Sequence, residues 1–306
     1  MNIQEYFTRI SYNETPNNTD LQTLTAIFQH HIRAIPFENL SMHCGESIEL
    51  NLQSTYDKIV RKNRGGWCME SNHLLFWALQ ELGYDVCILG GNSYEPADGA
   101  YTAEINHILL KVVIKGSPYI VDAGFGGAYQ TWQPLMLISG KDQPQTPGIF
   151  RFMEDNGIWY FEKVKRKHYI PEENLPATIP EQNVPATDTP EQGNIRKIYT
   201  FTLEPRDIND FQEINTYLQV SPDNILQKKS ICCLQTTEGL YALVGLTFTE
   251  MKYDYKDNMD LVKITTLTDE DVEKILKEKF SIVLENKLVP INIRGLPPNL
   301  VDKMSY

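Results

Sequence analysis

At 306 residues, 42% of them hydrophobic and 22% charged, the chain has room for two or three domains and an ordinary globular core. Its net charge of −12 argues against nucleic acid and anionic membrane surfaces as partners, and any anionic cofactor would need a local cluster of backbone N–H groups or basic side chains. Five cysteines form no framework, the N-terminal stretch has no apolar signal core, and no apolar run approaches the ~20 residues of a membrane span, so a cytoplasmic protein with reduced thiols is expected.

The first predicted helix covers residues 20–33. Thr19 or Asp20 can cap it, Leu21, Leu24, Ile27, Phe28 and Ile32 form one apolar face, and Pro36 prevents its continuation. His30 and His31 on this helix read as a surface or core-edge pair without chemistry. Ser54 with Asp57 resembles a capping box ahead of a helix carrying Ile59 and Val60, which leads into Arg64-Gly65-Gly66-Trp67-Cys68. From Met69 to Leu82 the apolar residues Leu74, Leu75, Ala78 and Leu82 recur at helical spacing until Gly83 stops them, which puts Cys68 at a helix N-terminus. Orphan N–H groups and the helix dipole favour a thiolate there. A helix end contributes only about 0.3–2 kcal/mol, however, and about 1.36 kcal/mol moves a pKa by one unit, so full ionisation requires a second cation. A small buried hydrophobe is the competing reading of Cys68.

Past Gly83 the pattern changes. Short β-branched or aromatic runs at 86–89, 107–114, 119–121, 158–164 and 197–203 predict an antiparallel sheet or barrel, interrupted at 171–194 by a Pro-, Glu- and Thr-rich insertion with an imperfect repeat. Further on, 211–219 reads as helix, 230–235 and 239–248 as a hairpin, and Thr268 with Asp271 caps a helix reaching Phe280. Adjacent Cys232 and Cys233 match no metal-ligand spacing, and no metal is expected. The chain divides into a helical part at 1–83, a barrel at 84–203 and an α/β part at 204–306.

Among six histidines, position selects a base for Cys68. His73 lies on another face of the same helix, and His43 and His168 have no evident partner. His107 begins a strand that turns back through Lys115-Gly116; a two-residue turn there sets residue 109 opposite residue 122 and makes Asp122 the diagonal neighbour of His107. Thiolate, imidazolium and an orienting carboxylate have complementary roles. Taken singly, His107 and Asp122 are also consistent with a strand-end histidine and a turn carboxylate.

Arg64-Gly65-Gly66-Trp67-Cys68, the strand led by His107, and Val121-Asp122-Ala123-Gly124-Phe125-Gly126 resemble the three signature regions of the arylamine N-acetyltransferases, in order and at vertebrate-type spacing. The likeness extends to Ile35-Pro36-Phe37-Glu38-Asn39-Leu40, Trp132-Gln133-Pro134, Ser139-Gly140-Lys141-Asp142-Gln143-Pro144, Asn215-Thr216-Tyr217-Leu218-Gln219 and Lys287-Leu288-Val289-Pro290. It implies an α+β fold: an N-terminal helical bundle, a central antiparallel β-barrel and a C-terminal α/β lid around a papain-like Cys-His-Asp core. By motif, Cys68 would be the acyl-accepting nucleophile, His107 the base and Asp122 its orienter. Phe37, Asn106, Phe125, Gly127 and Tyr129 would line the amine site, and Ala103, Glu104 and Tyr217 would face coenzyme A. Ala103, Glu104 and Asn106 depart from the vertebrate pattern, and Gly127 stands where relatives often carry a larger polar side chain. The implied reaction is ping-pong transfer of an acetyl group from acetyl-CoA to arylamines, arylhydrazines or N-hydroxyarylamines by a monomer. Rival readings are a papain-like cysteine hydrolase with the same triad and a catalytically silent small-molecule binding module.

Overall fold

Local capping explains where the N-terminal helices begin. Asn2 accepts from the Gln4 and Glu5 backbone N–H groups to open α1 (Ile3–Arg9), and Asp20 accepts from Thr23 N at 2.8 Å to open α2 (Leu21–Ala34). The short strand β1 (Phe37–Glu38), α3 (Leu40–His43) and α4 (Leu52–Tyr56) follow. The cap expected at Ser54 belongs to Asn51, whose side-chain oxygen precedes the helix and accepts from Ser54 N; Asp57 instead opens a π-helical turn, Asp57–Arg61. Then α5 (Cys68–Glu81) starts at the cysteine itself. Glu70 closes its first turn by accepting from Trp67 N at 3.2 Å, and Lys58 of the π turn supplies the countercharge at 2.9 Å. This computed structural model describes residues 1–16, 18–164, 166–171, 195–222 and 224–292; the predicted insertion beyond Pro171 and the chain after Asn292 lie outside them.

The barrel runs through β2 (Asp85–Glu95), β3 (Ala100–Tyr101), β4 (His107–Ile114), β5 (Ser117–Val121), β6 (Leu135–Met136), β7 (Gln143–Gln145), β8 (Gly148–Asp155), β9 (Ile158–Val164) and β11 (Ile195–Arg206), with β10 (Lys167–Tyr169) leaving it. Hydrogen-bonded order is β6-β5-β4-β2-β11-β9-β8-β7, all antiparallel. Lys115 and Gly116 are both left-handed, with φ 50° and 81°, and the register from Leu110↔Val121 to Ile114↔Ser117 carries residue 109 opposite 122, as the hairpin reading expects. The two edge strands meet through glutamine side chains. Gln143 accepts from Met136 N and donates to Met136 O, at 2.8 and 3.0 Å, while Gln145 does the same for Gln133 and also accepts from Trp132 N. A primary amide carries the donor and acceptor of a peptide, so these two side chains nearly close the barrel where backbone pairing stops.

After α6 (Gln212–Val220) and α7 (Ile225–Lys228), a second sheet forms from β12 (Ile231–Gln235), β13 (Gly239–Val244), β14 (Thr247–Lys256) and β15 (Met259–Thr266), edged by β1 and β10 in the order β1-β12-β13-β14-β15-β10. The expected strand at 239–248 is two: Gly245, at φ 56°, turns β13 into β14. Thr268 and Asp271 cap α8 (Asp269–Phe280), as the sequence predicts. The vicinal cysteines point to opposite faces of β12. Cys232 packs in the cluster under α8, with Val272, Leu276 and Phe280, while Cys233 packs in the large N-terminal core. Among the described residues no helix is long and apolar enough to cross a membrane.

Candidate active site

Three elements bring one residue each to a common point. Cys68 opens α5, His107 opens β4 and Asp122 follows β5 directly, so the β4–β5 register fixes the last two and the packing of α5 on β4 delivers the first. His107 Nε2 lies 2.7 Å from Asp122 Oδ2. With Nε2 given to the carboxylate, Nδ1 remains for the Cys68 thiol, which acts on the same ring. Cys68 is 8% exposed, His107 3% and Asp122 5%, so the line of three is almost sealed and the thiol is its most accessible member.

Burial works against charge on the His107 ring, but the Asp122 carboxylate and the contact with Cys68 outweigh it and carry its pKa up to about 10. Burial would likewise raise the Asp122 carboxyl; the imidazole, Asn72 and Gly124 N reverse this and hold it below its usual range. The pair thus favours imidazolium beside carboxylate, which is the second cation that a thiolate at the start of α5 requires.

Phe125 stands edge-on to His107 at 5.1 Å between ring centroids, and Tyr129 lies 6.0 Å from Phe125. The Phe37 ring abuts Gly126, where a Cβ would come within 2.7 Å of Phe37 Cγ. Gly127 begins a single 3₁₀ turn, Gly127–Tyr129, and its own carbonyl accepts from Gln235 Nε2 at 2.8 Å. Phe37, Phe125, Gly127 and Tyr129 are therefore gathered beside the triad, all buried.

The family described as N-acetyltransferase matches residues 20–289. The liver isozyme of arylamine N-acetyltransferase from Gallus gallus is 74% identical over 296 residues, spanning 96% of this chain and 100% of that protein. The chain belongs to the arylamine N-acetyltransferase family. Among solved structures, the arylamine N-acetyltransferase of M. smegmatis superposes with a TM-score of 0.77 at 26% identity, covering 93% of each chain. That of Mycobacterium marinum in complex with CoA gives 0.74 at 23% identity, covering 92% of this chain and 93% of that one. N-terminal helices, a near-closed antiparallel barrel and a C-terminal α/β region are the fold shared with these acetyltransferases.

In this arylamine N-acetyltransferase the remaining predicted residues are placed less centrally. Asn106 Oδ1 accepts from Ser93 N at 3.0 Å, which commits that oxygen to the edge of β2. Ala103 and Glu104 are exposed on the segment before β4, and Tyr217 is 55% exposed on α6. Among the described residues no hydrogen bond or ring contact joins Ala103, Glu104 or Tyr217 to the triad.

Several residues that sequence reasoning passed over complete the site. Asn72 donates to Asp122 Oδ1 at 2.9 Å and to Ile108 O at 2.7 Å, and accepts from Ala123 N at 2.8 Å. Its position four residues after Cys68, on the same helix face, was the available signal. Ser71 Oγ donates to Ala123 O at 3.1 Å, and Gln130 Nε2 donates to Asp122 O. Gly124 can be nothing larger, because a Cβ there would collide with Cys68 Cα and Asn72 Nδ2. The Tyr199 ring of β11 lies tilted at 34° to that of His107, 5.1 Å between centroids; nothing in its strand distinguishes it by sequence. His31, expected at the surface or core edge, is fully buried between Tyr6 Oη at 2.9 Å and Ser71 Oγ at 3.0 Å. His43 also has partners, since Nε2 donates to the carbonyls of Leu226 and Lys229. A polar cavity of about 330 Å³ lined by Ser47, Glu49, Lys58, Arg64 and Glu70, among others, contains none of the triad. Its three cations are already paired, Arg64 with Glu38 and Lys58 with Glu70, each at 2.9 Å, and Lys62 with Glu285 at 3.2 Å, and the first two pairs belong to the network that fixes the start of α5.

Proposed function

We propose that the protein acetylates arylamines and arylhydrazines from acetyl-CoA in two half-reactions, with Cys68 as nucleophile, His107 as base and Asp122 as its orienter. In the first, the Cys68 thiolate attacks the thioester carbonyl, the bond to the coenzyme sulfur breaks, and coenzyme A leaves with a proton from the His107 imidazolium. In the second, the amine nitrogen attacks the acetyl-cysteine, His107 takes its proton, and Cys68 departs as thiolate. First-turn N–H groups of α5, which helix geometry leaves unpaired, are the donors for the tetrahedral oxyanion. Arylamines suit this site because they are largely unprotonated near neutral pH. Phe37, Phe125 and Tyr129 would wall in a planar ring, Gly127 would add neither bulk nor charge, and Asn106 lies beside the base. Ala103, Glu104 and Tyr217 are assigned to the coenzyme A side.

The observation that carries this reading is the buried line from Asp122 through His107 to Cys68 at the first residue of a helix. The test is direct. Mixed with acetyl-CoA and no amine, the enzyme should release one equivalent of coenzyme A and carry one acetyl group on the peptide containing Cys68. Cys68→Ser should do neither, because a neutral hydroxyl is a far weaker nucleophile than a thiolate. An acetyl group found on another residue would overturn the assignment.

A further inference from the structure

The loop from Asp122 to Gln130 is anchored at two ends by different parts of the molecule. Its first end is held by α5, since Asn72 accepts from Ala123 N, Ser71 donates to Ala123 O and Asn72 binds the Asp122 carboxylate. The second end has little backbone bonding of its own: Gln130 N reaches Gly127 O at 3.5 Å, beyond the range of a good hydrogen bond. Two long side chains hold it instead. Lys163 of β9 donates from Nζ to Ala128 O at 2.6 Å, and Gln235 of β12 donates to Gly127 O at 2.8 Å while accepting from Trp132 Nε1 at 2.8 Å.

Lys163 is 6% exposed, with its ammonium 5.3 Å above the Phe150 ring and 5.8 Å from that of Tyr253. Its stem runs over Gly148, where a Cβ would come within 2.6 Å of Lys163 Cε. Burying an ammonium is costly, and a methionine of similar length would fill the space between the rings without that cost. Burial pulls the pKa of the Lys163 amine down to about 7, and what it supplies here that a thioether cannot is an N–H hydrogen bond to one carbonyl of the turn.

We propose that Lys163 is a positioning residue for the amine pocket: together with Gln235 it fixes two successive peptides of the Gly127–Tyr129 turn and so sets where Tyr129 and Phe125 meet the substrate ring. This rests on the assignment of Phe125 and Tyr129 to the amine site. Gln130 Nε2 ties the far end of the loop to Asp122 O, but the carboxylate and the Ala123 peptide are held by Asn72 and Ser71 of α5, so Lys163 governs amine capture and leaves the thioester step alone.

The test is Lys163→Met in the full chain, with two readouts. Coenzyme A release from acetyl-CoA in a single turnover without amine should stay within about twofold of wild type, while the KM for an arylamine should rise roughly tenfold or more. Gln235→Leu, which frees the neighbouring peptide, should move KM in the same direction, and it carries the test of the turn should Lys163→Met not fold. An unchanged amine KM in a folded variant overturns the proposal, as does a single-turnover release slowed by the same factor as amine turnover. The two readings fail separately: a wild-type enzyme with no acetyl-cysteine refutes the mechanism, whereas normal acetylation with an unmoved KM refutes only the role of Lys163.

Discussion

His107 and His31 are both buried, 3% and 0% exposed, and each ring makes two polar contacts. Their protonation runs in opposite directions. His107 faces a carboxylate that outweighs burial and lifts it to about 10, whereas burial pulls His31 down to about 3, and its charged neighbour is the Arg9 guanidinium, which pushes the same way. Its hydrogen bonds agree: Ser71 Oγ donates to Ala123 O, so it accepts from His31 Nε2–H, and bare Nδ1 then accepts from the Tyr6 hydroxyl. The first ring is poised to hold and move a proton, while the second locks neutral and braces the loop beside Asp122. Burial alone therefore does not mark a reactive histidine; the sign of its charged neighbour does.

The substitution that breaks this contrast most strongly is Asp122→Asn. The new amide can still accept from Asn72 and Gly124 N through its oxygen, but it then presents N–H to His107 Nε2. His107 would have to accept there, carry its proton on Nδ1 toward Cys68, and lose the charge that makes it resemble nothing like His31. Transfer should fall by about 10³–10⁴-fold with the fold retained, measured as amine-dependent coenzyme A release. Activity within tenfold of wild type would show that the carboxylate does not set the tautomer.

A pH series sharpens the same comparison. The ordinary histidine value is about 6.5, so protonation of His107 contributes stability that is fully present below about 6.5 and is lost as pH rises toward about 10. For His31 the sign reverses: the unfolded chain takes the extra proton, so its contribution is present above about 6.5 and is lost as pH falls toward about 3. Urea-unfolding differences between wild type and His107→Gln should shrink above pH ~6.5, and those between wild type and His31→Gln should shrink below it, each by up to about 1.4 kcal/mol per pH unit. Slopes of the same sign would mean that both rings share one protonation state.

How much of this was legible in the sequence depended on the reach of each interaction. The start of α5 at Cys68 follows from local apolar periodicity ended by Gly83, and the opposition of residues 109 and 122 follows from a two-residue turn at Lys115-Gly116. Local pattern failed even at short range where two caps competed, as when Asn51 displaced Ser54. It had no purchase on His31, whose partners are 25 and 40 residues away, and for Asn72 it offered only a place on the Cys68 face of α5, not the partners 36, 50 and 51 residues away. Nor could it foresee that Gln143 and Gln145 would stand in for a missing strand pairing, because that depends on which edges the closed barrel leaves apart.

Ser71 joins the two regions, and its removal gives the smallest and most discriminating effect. Its hydroxyl accepts from His31 on one side and donates to Ala123 O on the other, one residue from the carboxylate that orients His107. In Ser71→Ala, two buried polar groups lose a partner, which should lower stability by about 1–3 kcal/mol in urea unfolding. Activity should fall only severalfold, because Ala123 N stays on Asn72 and Asp122 keeps Asn72, Gly124 N and His107. If Ser71→Ala lost as much transfer as Asp122→Asn, the neutral chain from Tyr6 through His31 would be part of the proton path to Cys68. If it cost stability alone, the chain is a brace, and the charge that drives the chemistry stops at Asp122.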